Sequence, residues 1–428
     1  MIGSAAQNVI ALSDSVFLYH LSQTDFAAIG FVGVFYLIIA SIGYGFSRGG
    51  QIIMARRYGE SKFVEVGKSF YALVYLEVAI AILMFLFMQY GTPWFFKWFI
   101  SNEAIYAKSL EYIVPRSYGV FFAYTGVAML ALYTGIARTK FIIWDTTILA
   151  GVNIILNYIF IYGKFGFPAM GIAGAGWASS ISEFIAALVF FIYMILDKEN
   201  RIFKLFKFPR INFFLIKKIF NISAAIVLQA VVGLGSWFLF FGMVENMGER
   251  PLAITNLCRL VYLALSIPCW GYAAGINTLV SNFIGRDKKI AVVPLVWKTA
   301  KINFANTMLL AIPIIVFPKF FLYPLFGGTD MSLIEDARPV LLVMLLILTV
   351  FSIGATFFNG IIGTGATYHG LKIQSGATVL YLVYIYVVIN IFEANLEVAW
   401  AAEVIYWLFI LIFSILFLKT KKWYFLKI

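Results

Sequence analysis

The chain has 428 residues, of which 62% are hydrophobic, 18% aromatic and only 12% charged, with a formal net charge of +12. Soluble globular chains carry about 25% charged residues, and half that density cannot cover a water-soluble body of 48.1 kDa. The apolar runs are too long and uniform for the roughly 10-residue alternating strands of an outer-membrane barrel. An all-α integral membrane protein remains. Its bases are dispersed at helix ends, so the positive charge reports topology in a lipid bilayer and no nucleic-acid partner.

A spanning helix needs about 20 apolar residues. In chain order the candidate spans are 1–21, 27–55, 65–89, 106–136, 141–162, 170–196, 213–246, 252–282, 292–318, 337–364, 369–391 and 396–418, which makes twelve transmembrane helices. No charged segment precedes the first run, which argues against a signal peptide and for a shortened first helix or a late start. One set of connections holds Arg56, Arg57, Lys62, Lys68, Arg138, Lys140, the bases between Lys198 and Lys218, those from Arg286 to Lys301, Lys372 and the C-terminal lysines. The opposite set holds only Lys97, Lys108, Arg116, Lys164, Arg250, Lys319 and Arg338. The richer side is expected to face the cytoplasm, with both termini there, in a multi-pass plasma (bacterial inner) membrane protein.

The chain also repeats itself. Gln7 and Asp14 correspond to Gln229 and Ser236, Ala27 to Ala253, Gly59 to Gly285, and Trp177-Ala178 to Trp400-Ala401. These anchors keep their order and nearly constant spacing, so the expected architecture is two pseudo-symmetric six-helix lobes around a central cavity near the midplane. The expected boundaries are 1–196 for the N-lobe, 197–212 for a basic cytoplasmic linker and 213–428 for the C-lobe.

An acid inside a span costs about 2.5–3.5 kcal/mol on insertion scales and is a functional candidate by default. Asp14 in span 1 shares a helix face with Gln7. Burial would let it load a proton from one side and lose it to the other; the plainer alternative is a carboxylate facing water at a wet helix start. Asn153 and Asn157 in span 5 are one turn apart, so both amides lie on one face. They could hydrogen-bond a protonated carboxyl, hold a hard cation through their carbonyl oxygens, or simply join helices. Ser179 and Glu183 in span 6 have the same spacing, after an Ala173-Gly-Ala-Gly176 stretch that permits close helix approach. Glu183 could complete a polar pocket with Asp14, meet a cationic substrate, or form a structural ion pair. Gln7, Gln229, Glu77 and Glu403 are further candidates for substrate contact or secondary coupling, with Arg48 and Arg259 as the intramembrane bases available to pair with the two acids. Gln229 and Ser236 replace any acid at the second-half counterpart of Asp14.

Other chemistry is absent. Cys258 and Cys269 share one apolar stretch and read as packing residues, not a disulfide framework. His20 and His369 lie far apart without ligand spacing, so no metal cage is expected. No serine–histidine or cysteine–histidine constellation exists, and no catalytic residue, cofactor or enzymatic activity is assigned.

Several stretches resemble the multidrug and toxic compound extrusion (MATE) family. They are Asp14 with Ala27-Ala28-Ile-Gly30, Ala55-Arg56-Arg57-Tyr-Gly59, and Asn153-Ile-Ile-Leu-Asn157-Tyr-Ile-Phe-Ile-Tyr-Gly163 running on through Trp177-Ala-Ser179. The resemblance covers essentially the whole chain. It implies a monomeric twelve-helix antiporter exporting amphipathic organic cations, such as drugs and toxic compounds, in exchange for H+ or Na+ by alternating access. In one branch of the family an aspartate of helix 1 meets two polar residues four apart in helix 5 and a hydroxyl in helix 6. Those positions look like Asp14, Asn153, Asn157 and Ser179, with a transported Na+ conceivable at the first three. Another branch uses acids of helices 7 and 10; here Gln229 stands in the former, and the apolar part of span 10 has none. The wider fold is shared with flippases for lipid-linked saccharide precursors, the alternative reading.

Overall fold

The computed structural model describes residues 10, 13–100, 102–206, 209–326 and 331–426. Helix α1 runs over residues 13–19, and Gln7 lies outside the described residues. There follow α2 (Gln23–Gly59), α3 (Phe63–Leu86) with a π-helical turn (Phe87–Gly91) leading into α4 (Thr92–Lys97), α5 (Glu103–Gly135), α6 (Lys140–Tyr162) and α7 (Gly171–Leu196). The second half comprises α8 (Phe213–Glu245), α9 (Glu249–Gly285), α10 (Val292–Val316), α11 (Pro318–Phe326), α12 (Met331–Asp336), α13 (Arg338–Thr364), α14 (Thr367–Tyr386), α15 (Leu396–Trp400) and α16 (Ala402–Lys419). Among the described residues, 11 helices are long and apolar enough to cross a membrane.

Backbone contacts divide the chain into two compact units, residues 2–224 and 225–428, with the division inside α8. In the first unit α5 packs on α2, α3 and α7, and α6 packs on α7. In the second, α13 packs on α9, α10 and α16, and α14 packs on α16. The pairing pattern thus recurs, and α2 and α9 share a length of 37 residues. Their exits match too: Ser61 and Asp287 both turn the chain with φ 58°, a left-handed conformation that costs an L-residue energy and marks a sharp reversal. The core of the second unit is assembled from Ile276 and Val280 of α9, Val296 and Ala300 of α10, and Phe357 and Ile361 of α13, all buried.

The described residues of the expected linker 197–212 are held against α3. Asp197 caps a short 3-10 turn over Lys198–Phe203, and Phe203 and Leu205 are buried. The hydroxyls of Tyr71 and Tyr75 on α3 donate to the carbonyls of Leu205 and Pro209. Apolar side chains inside this basic stretch give it a packing face, so only its charges need stay in water.

Candidate functional site

The site of the first unit is assembled where α1, α5, α6 and α7 meet. Close approach is permitted by the small residues at the start of α7. A methyl on Gly174 would stand 2.7 Å from the Phe160 backbone on α6, and one on Gly176 would stand 2.6 Å from the Tyr112 carbonyl on α5. Overpacking of this kind costs about 1–3 kcal/mol. Gly176→Ala is therefore expected to lower the unfolding temperature in detergent and displace Tyr112. Gly151→Ala, where an added methyl meets nothing within 4 Å, serves as the neutral control in the same measurement.

Asp14 is fully buried at this junction, with Asn153, Asn157 and Ser179. Its Oδ1 accepts from Asn157 Nδ2 at 2.8 Å and from Asn153 Nδ2 at 3.3 Å. Its Oδ2 accepts from the Ser179 hydroxyl and the Tyr112 hydroxyl, both at 2.8 Å. The ring of donors is itself linked: Asn153 Nδ2 donates to Ser179 Oγ at 3.0 Å, and Asn157 Nδ2 to Ser13 Oγ at 3.1 Å. The helical spacing of Asn153 and Asn157 on α6 brings both amides to one oxygen. Asn153, Asn157 and Ser179, expected from the sequence, thus converge on the Asp14 carboxyl. Tyr112 joins them without having been foreseen.

One turn along the same helices lies a second buried cluster. Arg116 follows Tyr112 by four residues on α5, and Glu183 follows Ser179 by four on α7. Arg116 Nη1 donates to Glu183 Oε2 at 2.7 Å and Nη2 to Oε1 at 2.6 Å. Neither side chain exceeds 2% exposure, and the guanidinium stacks 3.6 Å above the Tyr36 ring. This corrects the expectation that Arg116 belongs to an outer connection. α5 begins before Lys108, whose exposed pair with Glu111 is part of the helix surface, so Arg116 falls well inside the span. Glu183 accordingly takes the structural ion pair, not a contact with Asp14. Bidentate geometry and ring stacking replace the hydration both charges lose.

The remaining candidates separate from this site. Glu77 is buried in α3 and accepts from Ser47 Oγ at 3.0 Å. Glu403 lies in the second unit, in the first turn of α16. Neither forms an ion pair with Arg48 or Arg259 among the described residues; Arg259 lies 5.3 Å from the centre of the Phe241 ring instead. Gln229, the counterpart of Gln7, uses its side-chain amide to donate to the Thr367 carbonyl, and its backbone carbonyl accepts from the Gln374 amide. Ser236 donates back to the Gly233 carbonyl. The second unit therefore spends Gln229 on joining α8 to α14 and Ser236 on a bond within α8. Cys258 and Cys269 are free and buried, and among the described residues no three His, Cys, Asp or Glu side chains group as a metal site.

Comparison with known proteins bears on the whole chain. The MatE family model matches residues 1–159 and 225–387. The chain belongs to the MATE family. A relative from Photorhabdus laumondii, "Probable multidrug resistance protein NorM", is 23% identical over 81% of this chain and 74% of its own length. A protein of the same name from Thermotoga maritima is 24% identical over 97% of this chain and 89% of its own length. Among solved structures, a MATE protein in the bent conformation superposes with a TM-score of 0.88 over 98% of this chain and 92% of that one, at 19% identity. A MATE transporter of the MOP superfamily in an outward-facing conformation also reaches 0.88, over 98% and 93%, at 18% identity. At such identities the superpositions establish the twelve-helix MATE fold. As a member of this family the MATE chain is a multi-pass membrane transporter, not an enzyme. These relatives lend no support to the flippase alternative.

Proposed function

We propose that this MATE chain is a secondary active antiporter that exports amphipathic organic cations, drugs among them, in exchange for protons, with Asp14 as the proton-carrying carboxyl. The observation that carries this reading is the set of four donors on one buried carboxyl. Four N–H or O–H donors fill the acceptor sites of an ionised carboxylate. Once protonated, the carboxyl must itself donate, so at least one neighbour has to turn and offer an oxygen. The hydroxyls of Ser179 and Tyr112 can rotate, and the amides of Asn153 and Asn157 can present their carbonyls. Loading a proton therefore rewires contacts among α1, α5, α6 and α7, which is the differential interaction a conformational equilibrium needs.

The same donors favour H+ over Na+. A hard cation is held by several oxygen ligands, and in this arrangement the groups turned toward Asp14 are hydrogens on nitrogen or oxygen; sodium would require the same neighbours to turn their oxygens inward. The relatives named for multidrug resistance support drug-like cations as substrates. The basic connections after α2 and α7 support a cytoplasmic side there, with both termini on that side of a bacterial inner membrane and the monomer as the working unit. Alternating access would proceed by rocking of one repeat against the other.

Everted membrane vesicles loaded by ethidium uptake test the ion. A pH gradient is expected to drive dye transport and a sodium gradient imposed alone to leave it at background. Transport driven by sodium alone would reassign the coupling ion. Transport under neither gradient, from well-expressed protein, would remove the antiport reading for this class of dye.

A further inference from the structure

Glu403 is a buried acid that the Asp14 site does not use. It occupies the first turn of α16, whose N-cap, Ala401, makes no side-chain cap hydrogen bond. Such a helix start favours negative charge. Glu403 is 3% exposed. Aromatic rings surround it: Tyr406 and Trp407 follow it on its own helix, the Tyr381 ring of α14 packs 5.7 Å from Tyr406, and the Trp237 ring of α8 packs 5.6 Å from Tyr262 of α9. The Tyr381 hydroxyl and the Trp237 and Trp407 indoles are the donors nearest its carboxyl. The Tyr381 hydroxyl and the Trp407 N–H, on side chains 1% and 8% exposed, complete no hydrogen bond with any protein group. The other titratable groups facing the carboxyl are Tyr262 of α9 and Tyr406 of α16. No base forms an ion pair with Glu403 among the described residues.

From this we infer that Glu403 is a second exchangeable proton site, built into the second unit. The chemistry of its surroundings selects the proton. Indole N–H groups donate and cannot accept, and a tyrosine hydroxyl supplies one oxygen at most. A metal cation would find too few oxygen ligands here. An ionised Glu403 has three neutral donors and a helix start to replace water, with two of those donors still uncommitted. A neutral Glu403 has a box of aromatic rings suited to an uncharged group. Both forms are thus housed, which is what a site that loads and releases a proton requires. On release the carboxyl O–H bond breaks heterolytically, the electron pair stays on the carboxylate, and the proton passes to water; loading is the reverse. This inference rests on the antiport reading for its role in transport but is tested apart from it.

Infrared difference spectra of the lipid-reconstituted protein provide the test, recorded as pH is raised from about 5 to about 9, a range that includes buried carboxyl groups. A protonated carboxyl C=O band is expected to vanish as pH rises, to shift when glutamate is 13C-labelled, to disappear in Glu403→Gln, and to persist in Asp14→Asn. A glutamate titration in Glu403→Gln identical to that of the unaltered protein would overturn the inference, since Glu403 would then hold one state throughout. Tyr381→Phe keeps the carboxyl and removes one donor to its ionised form, so the midpoint of the same band is expected to move upward. An unmoved midpoint also counts against the inference. The aspartate band removed by Asp14→Asn reports the first site separately, so failure of one assignment is distinguishable from failure of the other.

Discussion

Replacing Asp14 by asparagine is expected to reduce pH-driven ethidium transport in everted vesicles to the rate of vesicles without the protein. The substitution is nearly isosteric in a fully buried position, and its amide, with one accepting oxygen and a donating N–H, holds the site in an arrangement like that of the protonated carboxyl. What is lost is titration. A gradient acts on a transporter only through a group whose affinity for the ion differs between states, and an amide offers none. Dye binding to the purified variant should survive, which separates lost coupling from lost folding. Vesicles in which Asp14→Asn transports dye as fast as the unaltered protein would remove Asp14 from the mechanism. The energetics also bear on stoichiometry. Hundredfold accumulation requires about 2.7 kcal/mol. One proton exchanged for one monovalent cation moves no net charge and so draws nothing from the membrane potential. A second proton would add about 2.3 kcal/mol per 100 mV.

The second large effect is expected at the Arg116–Glu183 pair. Removing one partner of a buried ion pair leaves an uncompensated charge and costs about 3–5 kcal/mol. Arg116→Met alone strands the Glu183 carboxylate, and Glu183→Leu alone strands a guanidinium held between α5, α7 and the Tyr36 ring. Each single variant should unfold at a markedly lower temperature in detergent. The double replacement Arg116→Met with Glu183→Leu removes both charges together and should recover most of the loss, because apolar substitutes for a buried pair are often neutral or better. The interaction term of this cycle is the decisive quantity. Additive losses would mean that the two residues act independently despite their 2.6 Å contact. Tyr112 and Ser179 lie one turn away on the same two helices, so the single variants should also disturb the donors on Asp14.

The helices and the recurrence of their pairing were legible because hydropathy and matched anchors report span length and order directly. Asp14, Asn153, Asn157 and Ser179 were each legible because polar groups inside spans are few and each needs a partner, whereas their grouping around one carboxyl was implied by the resemblance to the MATE family. Tyr112 was not, because a tyrosine among 24 in an apolar chain carries no mark that distinguishes an interfacial ring from a hydroxyl aimed at a buried acid. Arg116 was obscured differently. Lys108 and Glu111 form an exposed pair on the first turns of α5, which in sequence looks like the end of a connection, so the base beyond them was assigned to water. The missed signal was stoichiometric: Glu183 deep in α7 demanded a cation, and Arg116 was a base within a span whose charge had no other use. The aromatic surroundings of Glu403 were equally hidden, since beyond Tyr406 and Trp407 of its own helix they come from α8, α9 and α14, which are distant in sequence.

Cys258 and Cys269, packed at 0% exposure, leave the native chain without a thiol that a water-soluble maleimide can reach. A single cysteine placed at the exposed Ser61 turn would then be the sole reactive group, and its labelling in intact cells or in everted vesicles would read directly which face of the membrane that turn occupies. The packing of two sulfur atoms thus makes the unmodified protein its own blank for mapping sidedness.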